Sequence, residues 1–171
     1  MTNRPATMIA IIAAVAVLTS TMNSKPGPSF VWNASESVPI GLYRVQAPDN
    51  LIVTSLVVAV PPEPLASFLA ESGYLPRGVP LIKRILALPG QSVCRHELRI
   101  VVDEIDMGAA RERDRRGRAL PVWRGCRIIA VGDVFLMNWD EPASLDSRYF
   151  GPIPLSAILG RAEPLWTFEM E

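Results

Sequence analysis

Two serines one residue apart, Ser35 and Ser37, stand in the segment NASESVPIGLYR (residues 33–44). Pro39 and Gly41 force an abrupt turn there, which exposes a hydroxyl together with its backbone amide. Such a turn suits a nucleophile, although hydroxyls in a serine-rich loop also serve to satisfy their own backbone. Further along, PLIKRILALPGQ (residues 80–91) sets Lys83 among Leu81, Ile82, Ile85 and Leu86. A free lysine, with a pKa of about 10.4, is neutral in roughly one molecule in 2,500 at pH 7 and is no base. Burial disfavours the ammonium and can lower that value by about 3, a differential of about 4 kcal/mol, which leaves a substantial neutral population. In a strand the alternation of faces separates Lys83 from Arg84, so one of the two points inward, and only lysine can give up its proton. An exposed Lys83 on a strand edge is the other reading of the segment. A third segment, SLDSRYFGPIP (residues 144–154), carries Asp146 and Arg148 two apart, on one face of an extended chain. Ser144 or Ser147 could orient a lysine amine by a hydrogen bond, and alone the Asp-Ser-Arg run reads as a structural ion pair.

Other chemistries lack their residues. His96 is the single histidine, so a Ser-His-Asp triad would rest on it alone, and it is placed at the surface or the core edge. Cys94 and Cys126 are too far apart for a compact zinc motif, and neither a metal nor a cofactor is expected. The scattered glycines form no phosphate-binding loop. Lys plus Arg (17) balance Asp plus Glu (17), so nucleic acid is not an expected partner, although residues 111–118 are locally basic. Within that run DRRG (residues 114–117) reads as a hairpin tip whose arginines are either solvated or in contact with substrate.

These residues must be carried by one domain, because 171 residues with 49% hydrophobic content suffice for a single core. Sixteen prolines and eleven glycines, spread along the chain, fit short strands better than long helices. The apolar runs predict strands over residues 29–32, 41–45, 51–60, 80–88, 97–102, 127–130 and 134–137. Leu65, Phe68 and Leu69, stopped by Gly73, predict one short helix over residues 63–73. Between Arg4 and Lys25 no residue is charged, and MIAIIAAVAVL (residues 8–18) is wholly apolar. About twenty uncharged residues reach roughly 30 Å as a helix, the thickness of the hydrocarbon core. A cleaved signal is the alternative, since the strongest apolar part is short, but no small-x-small cleavage site follows it. Arg4 and the amino terminus favour a cytoplasmic start, and KPGPS (residues 25–29) reads as a hinge. The expectation is a membrane anchor or signal segment over residues 1–24 and a domain over residues 25–171 on the far side. There Cys94 and Cys126 could form a disulfide closing about thirty residues, stabilising by about 3–4 kcal/mol; two buried thiols are the other reading.

In this order, behind a hydrophobic amino terminus, the three segments closely resemble the type I signal peptidase family of Ser-Lys proteases over nearly the whole chain. The Ser-x-Ser turn with its nearby proline, Lys-Arg followed by Leu-Pro-Gly, and Ser-x-Asp-Ser-Arg-Tyr-Phe-Gly are signature boxes of that family. The resemblance implies that Ser37 is the nucleophile, Lys83 the general base, and the Ser35 hydroxyl with the Ser37 amide the oxyanion hole. It also implies that Ser144 orients the lysine and that Asp146 with Arg148 braces the loop. SVPIGLYR (residues 37–44), RGRALP (residues 116–121) and SRYFGPI (residues 147–153) resemble the branch of conjugative transfer peptidases of TraF type, which mature pilin subunits by cleavage and sometimes cyclise them. The chain departs from the family before Leu56, where the usual Gly-Asp is missing, and at Gln91, which stands where Asp is common.

The fold implied is mainly β: a coiled β-sheet catalytic domain of signal-peptidase and LexA-like kind, after one transmembrane helix in the inner (cytoplasmic) membrane and on its periplasmic side. The partner implied is a precursor protein, a pilin or preprotein, added as an extended strand beside Lys83. Three rivals are a general signal peptidase, a self-cleaving LexA-like regulator, and a catalytically silent binding domain. Against the regulator, what precedes the serines in this sequence reads as a hydrophobic segment and not as a DNA-binding module.

Overall fold

The computed structural model describes residues 8–9, 11–12 and 27–168. The expected anchor over residues 1–24 lies almost wholly outside them, and among the described residues no helix is long and apolar enough to cross a membrane.

Short Val-, Ile- and Leu-rich runs closed by Pro, Gly and Asp fold as antiparallel strands. Seven of them form one sheet: β1 (Phe30–Asn33), β2 (Ile40–Gln46), β3 (Leu56–Ala59), β4 (Leu81–Ala87), β9 (Asp133–Leu136), β10 (Ile153–Pro154) and β11 (Ile158–Phe168). Their spatial order is β1-β2-β11-β3-β4-β9-β10. A second sheet holds β5 (Ser92–His96), β6 (Arg99–Val102), β7 (Ile105–Ala109) and β8 (Gly125–Ile128), in the order β7-β6-β5-β8. Two short helices, α1 (Leu65–Glu71) and α2 (Ser147–Phe150), and a 3-10 turn at Leu155–Ala157 lie among the strands. The domain is mainly β.

Strand β4 is central because both of its faces are covered, which is why its sequence is nearly continuous in apolar residues. Ile82 packs with Val38, Tyr43 and Val58. Ile85 packs with Val57, Val134 and Leu136, while Leu86 and Ala87 meet Val93, Ile100, Phe135 and Met137 between the sheets. Full burial of each large aliphatic or aromatic side chain contributes about 1.5–3 kcal/mol, so this strand is held firmly. Lys83 is the charged residue that this packing encloses, at 3% exposure.

Some expected elements differ. The run over residues 51–60 is not one strand: Thr54 turns with φ of 80°, its amide donating to the Ile85 carbonyl, and pairing begins at Leu56. The expected strand at residues 127–130 lies two residues earlier, as β8, and β5, β7 and the eleven-residue β11 answer to no predicted run. The segment carrying Asp146 and Arg148 is not extended throughout, because Asp146 caps α2 by accepting the Arg148 amide and residues 147–150 turn into that helix. Gly41 has a specific cause. Its φ is 152°, and a Cβ there would run into the backbone of Trp166 and Thr167 in β11. This close approach fixes the exit of the serine loop.

Candidate active site

Residues 34–39 join β1 to β2, and Asn33, buried at the end of β1, organises them. Its Nδ2 donates to the carbonyls of Ser35 (2.7 Å), Val38 (2.9 Å) and Pro39 (3.1 Å). Its Oδ1 accepts from the Ser35 amide (3.1 Å) and the Ser35 hydroxyl (2.9 Å). The Tyr43 hydroxyl fastens the far end of the loop by donating to the Pro39 carbonyl at 2.6 Å. With the Ser35 hydrogen directed at Asn33, the Ser35 oxygen is left to accept, and Ser37 Oγ lies 3.0 Å from it.

Lys83 faces this loop from β4. Burial lowers its pKa from 10.5 to about 8, against the opposing field of Asp146; Arg148 assists the lowering, and Glu141 opposes it. No salt bridge holds Lys83 among the described residues. Ser37, Lys83, Ser35 and Ser144 line one cavity of about 410 Å³, together with Glu36, Leu81 and Tyr74. Ser144 Oγ is buried and has no hydrogen-bond partner among the described residues. The cavity therefore gathers the hydroxyls of Ser35 and Ser37, a desolvated amine and a buried hydroxyl without a hydrogen-bond partner among the described residues.

The loop after β9 holds these elements in register. Asn138 Nδ2 donates to the Ser37 carbonyl (2.7 Å) and the Ile82 carbonyl (3.3 Å), and its Oδ1 accepts the Arg84 amide (2.9 Å). One side chain thus links the backbone of Ser37 to the residues on either side of Lys83, and takes a ladder rung on that stretch of β4. The Asn138 amide is itself held by Asp146 Oδ2 at 3.1 Å. Asp146 and Arg148 form a buried pair at 2.8 Å. Arg148 Nη2 reaches the carbonyls of Asn138 (3.3 Å), Glu141 (2.8 Å) and Ser144 (3.2 Å), gathering the whole loop. Burial opposes the Arg148 charge, yet the bonds and field of Asp146 more than offset it, and its pKa stands above the ordinary value.

One further contact borders the cavity, and a cross-link lies away from it in the second sheet. Arg115, at the tip of the basic turn, pairs with Glu36 between the two serines (2.5 Å) and with Glu141 (3.8 Å). Cys94 and Cys126, directly opposed in β5 and β8, are joined as a disulfide. His96 is exposed beside them, and the thiolates a metal would require are consumed in the sulfur–sulfur bond.

The structure thus brings Ser35, Ser37, Lys83 and Ser144 to one cavity, with Asp146 and Arg148 behind it and the cysteine pair in the other sheet. Asn33, Asn138 and the Arg115–Glu36 contact were not legible as parts of the site. Asn33 heads the serine segment and Asn138 ends a strand, positions where a short amide bonds backbone readily, but their partners are distant in sequence.

Residues 3–166 match the family described as signal peptidase, peptidase S26. The chain is similar to the conjugal transfer protein TraF of Agrobacterium fabrum (strain C58), with 38% identity over 148 residues, covering 80% of this chain and 82% of that protein. It is similar also to the probable conjugal transfer protein TraF of Sinorhizobium fredii, with 36% identity over 148 residues, 80% of this chain and 76% of that one. Among solved structures it is similar to a signal peptidase I from Enterococcus faecalis V583, with a TM-score of 0.41 and 16% identity, covering 67% of this chain and 98% of that chain.

Proposed function

The chain belongs to the signal peptidase family, peptidase S26, and from that premise we propose that it is a serine endopeptidase in which Ser37 attacks the scissile carbonyl and neutral Lys83 is the base. One observation carries this reading: a hydroxyl and an amine whose pKa burial has lowered to about 8 line the same cavity. Lys83 takes the Ser37 proton as the carbon–oxygen bond forms, and later gives it to the leaving amine. The oxyanion meets the Ser37 amide and the Ser35 hydroxyl, which must turn away from Asn33 to donate. Ser144 orients the Lys83 amine, and Asp146 with Arg148 braces the loop that carries it. The acyl-enzyme is released by water, giving hydrolysis, or by an amine of the substrate, giving cyclisation.

The substrate in this proposal is an exported precursor laid through the cavity as an extended chain, and the role is maturation of a conjugative pilin subunit. Relatives named as conjugal transfer proteins support that role. The uncharged sequence between Arg4 and Lys25 supports a membrane anchor, and the Cys94–Cys126 disulfide supports an oxidising compartment such as the periplasm. Purified protein incubated with a pilin precursor from the same conjugation system, and with a panel of unrelated preproteins, tests the reading. Cleavage of the pilin precursor alone, lost in Ser37→Ala, supports it. Cleavage of the whole panel makes it a general signal peptidase, and cleavage undiminished in Ser37→Ala overturns the mechanism.

A further inference from the structure

We propose that the arginine-lined hollow beside the Ser37–Lys83 cavity is a subsite for an acidic side chain of the substrate, an inference that rests on the peptidase reading above. The hollow has a volume of about 270 Å³ and shares Tyr74, Arg115, Ala143 and Leu145 with that cavity, so an extended chain occupying one leads into the other. Four arginines line it (Arg111, Arg115, Arg116 and Arg118) against one carboxylate, Asp114.

That carboxylate is fully engaged by the turn itself. Asp114 accepts from the amides of Arg116 (2.8 Å) and Arg118 (2.9 Å), from Arg118 Nε (2.6 Å) and from the Tyr74 hydroxyl (2.9 Å). Arg118 also lies over the Tyr74 ring at 4.2 Å and donates to the Ser72 carbonyl, so the turn is anchored to the end of α1. Arg115 is committed to Glu36 and Glu141. The Arg111 and Arg116 side chains, by contrast, have no hydrogen-bond or ion-pair partner among the described residues, and both line the hollow. A braced turn that presents two uncommitted guanidinium groups is suited to a carboxylate, which guanidinium binds through paired, charge-assisted hydrogen bonds. Tyr74 and Leu145 offer apolar walls for the aliphatic stem of a Glu or Asp.

A set of internally quenched, alanine-rich peptides, with Glu or Gln placed in turn at each position on both sides of the scissile bond, tests this with the full chain. At one position the Glu peptide is expected to exceed its Gln counterpart roughly tenfold in kcat/KM, as for one charge-assisted contact, chiefly through KM. Added salt is expected to shrink that preference, and Arg111→Ala combined with Arg116→Ala is expected to bring the Glu-to-Gln ratio close to one. Because a ratio is read, partial loss of folded protein does not mimic the result. Peptides cleaved with no acidic preference, or with one that survives the double substitution, overturn the subsite and leave the peptidase reading standing. Absence of any Ser37-dependent cleavage overturns both.

Discussion

Asn138 is hydrogen bonded through its side-chain amide to the backbone carbonyl of Ser37, while the same side chain holds the backbone on both sides of Lys83. Its removal orphans two carbonyls and an amide in or near the core, at about 1–3 kcal/mol for each group left unpaired. Asn138→Ala is therefore expected to lower the melting temperature. At a temperature where the variant is still folded, it should lower kcat by roughly 10- to 100-fold with little change in KM, because misplacement of reacting groups by about 1 Å costs on that scale. Steady-state kinetics beside a melting curve check this, and a loss confined to KM would speak against a positioning role.

In the proposed mechanism Lys83 links activity to stability with opposite signs. Its pKa is about 8 in the folded protein and 10.5 in the ordinary state, so between those values the unfolded chain binds more protons. Stability consequently rises with pH from about 8 to about 10.5, and below about 8 the full penalty of about 3 kcal/mol stands. Lys83→Met keeps the volume and removes the charge. It should abolish cleavage yet raise the melting temperature at pH 7, by roughly 2–4 °C for each kcal/mol recovered, with the gain vanishing near pH 10.5. Melting curves of both proteins across pH check the sign, and a lower melting temperature for Lys83→Met at pH 7 would refute it.

Ser144 has a buried hydroxyl with no hydrogen-bond partner among the described residues. Ser144→Ala removes an unsatisfied polar atom, so the melting temperature should hold or rise slightly. If the hydroxyl orients Lys83, kcat should fall, by about tenfold or more on the scale of one charge-assisted hydrogen bond. Activity and stability moving together would mean that Ser144 serves packing alone.

Asp146 and Arg148 are both almost fully enclosed. Asp146→Ala leaves a buried guanidinium without its counter-ion and should cost about 3–5 kcal/mol. Urea unfolding measures the loss, and a change below about 1 kcal/mol would show that the pair is not what holds the loop after β9.

The mainly β character was legible because short Val- and Ile-rich runs alternate with Pro and Gly, and β4 could be read from an apolar run broken only by Lys83 and Arg84. The unexpected strands have mixed patterns: β7 (IDMGA) is largely exposed and β11 runs through Pro164, so neither gives a clean period of two. Residues 144–154 misled for a different reason. Asp146 and Arg148 do meet, but through a cap that turns the chain into α2, and the two-residue spacing serves either geometry. Serine in a tight turn and lysine in an apolar run marked Ser35, Ser37 and Lys83, but each segment alone had an ordinary reading, and it was the resemblance of the three segments together that singled these residues out. Asn138 did not, because its partners are Ser37, Ile82 and Arg84, 54 to 101 residues away.

The rate at which Ser37 is acylated, followed as a function of pH by intact-mass spectrometry with an activated ester of a small-residue peptide, tests the central claim most directly. A single adduct on Ser37 is predicted, forming faster as pH rises through an apparent pKa near 8, and absent from Lys83→Met. An adduct that forms on Lys83→Met as fast as on the unaltered protein, or that sits on another residue, would contradict the account.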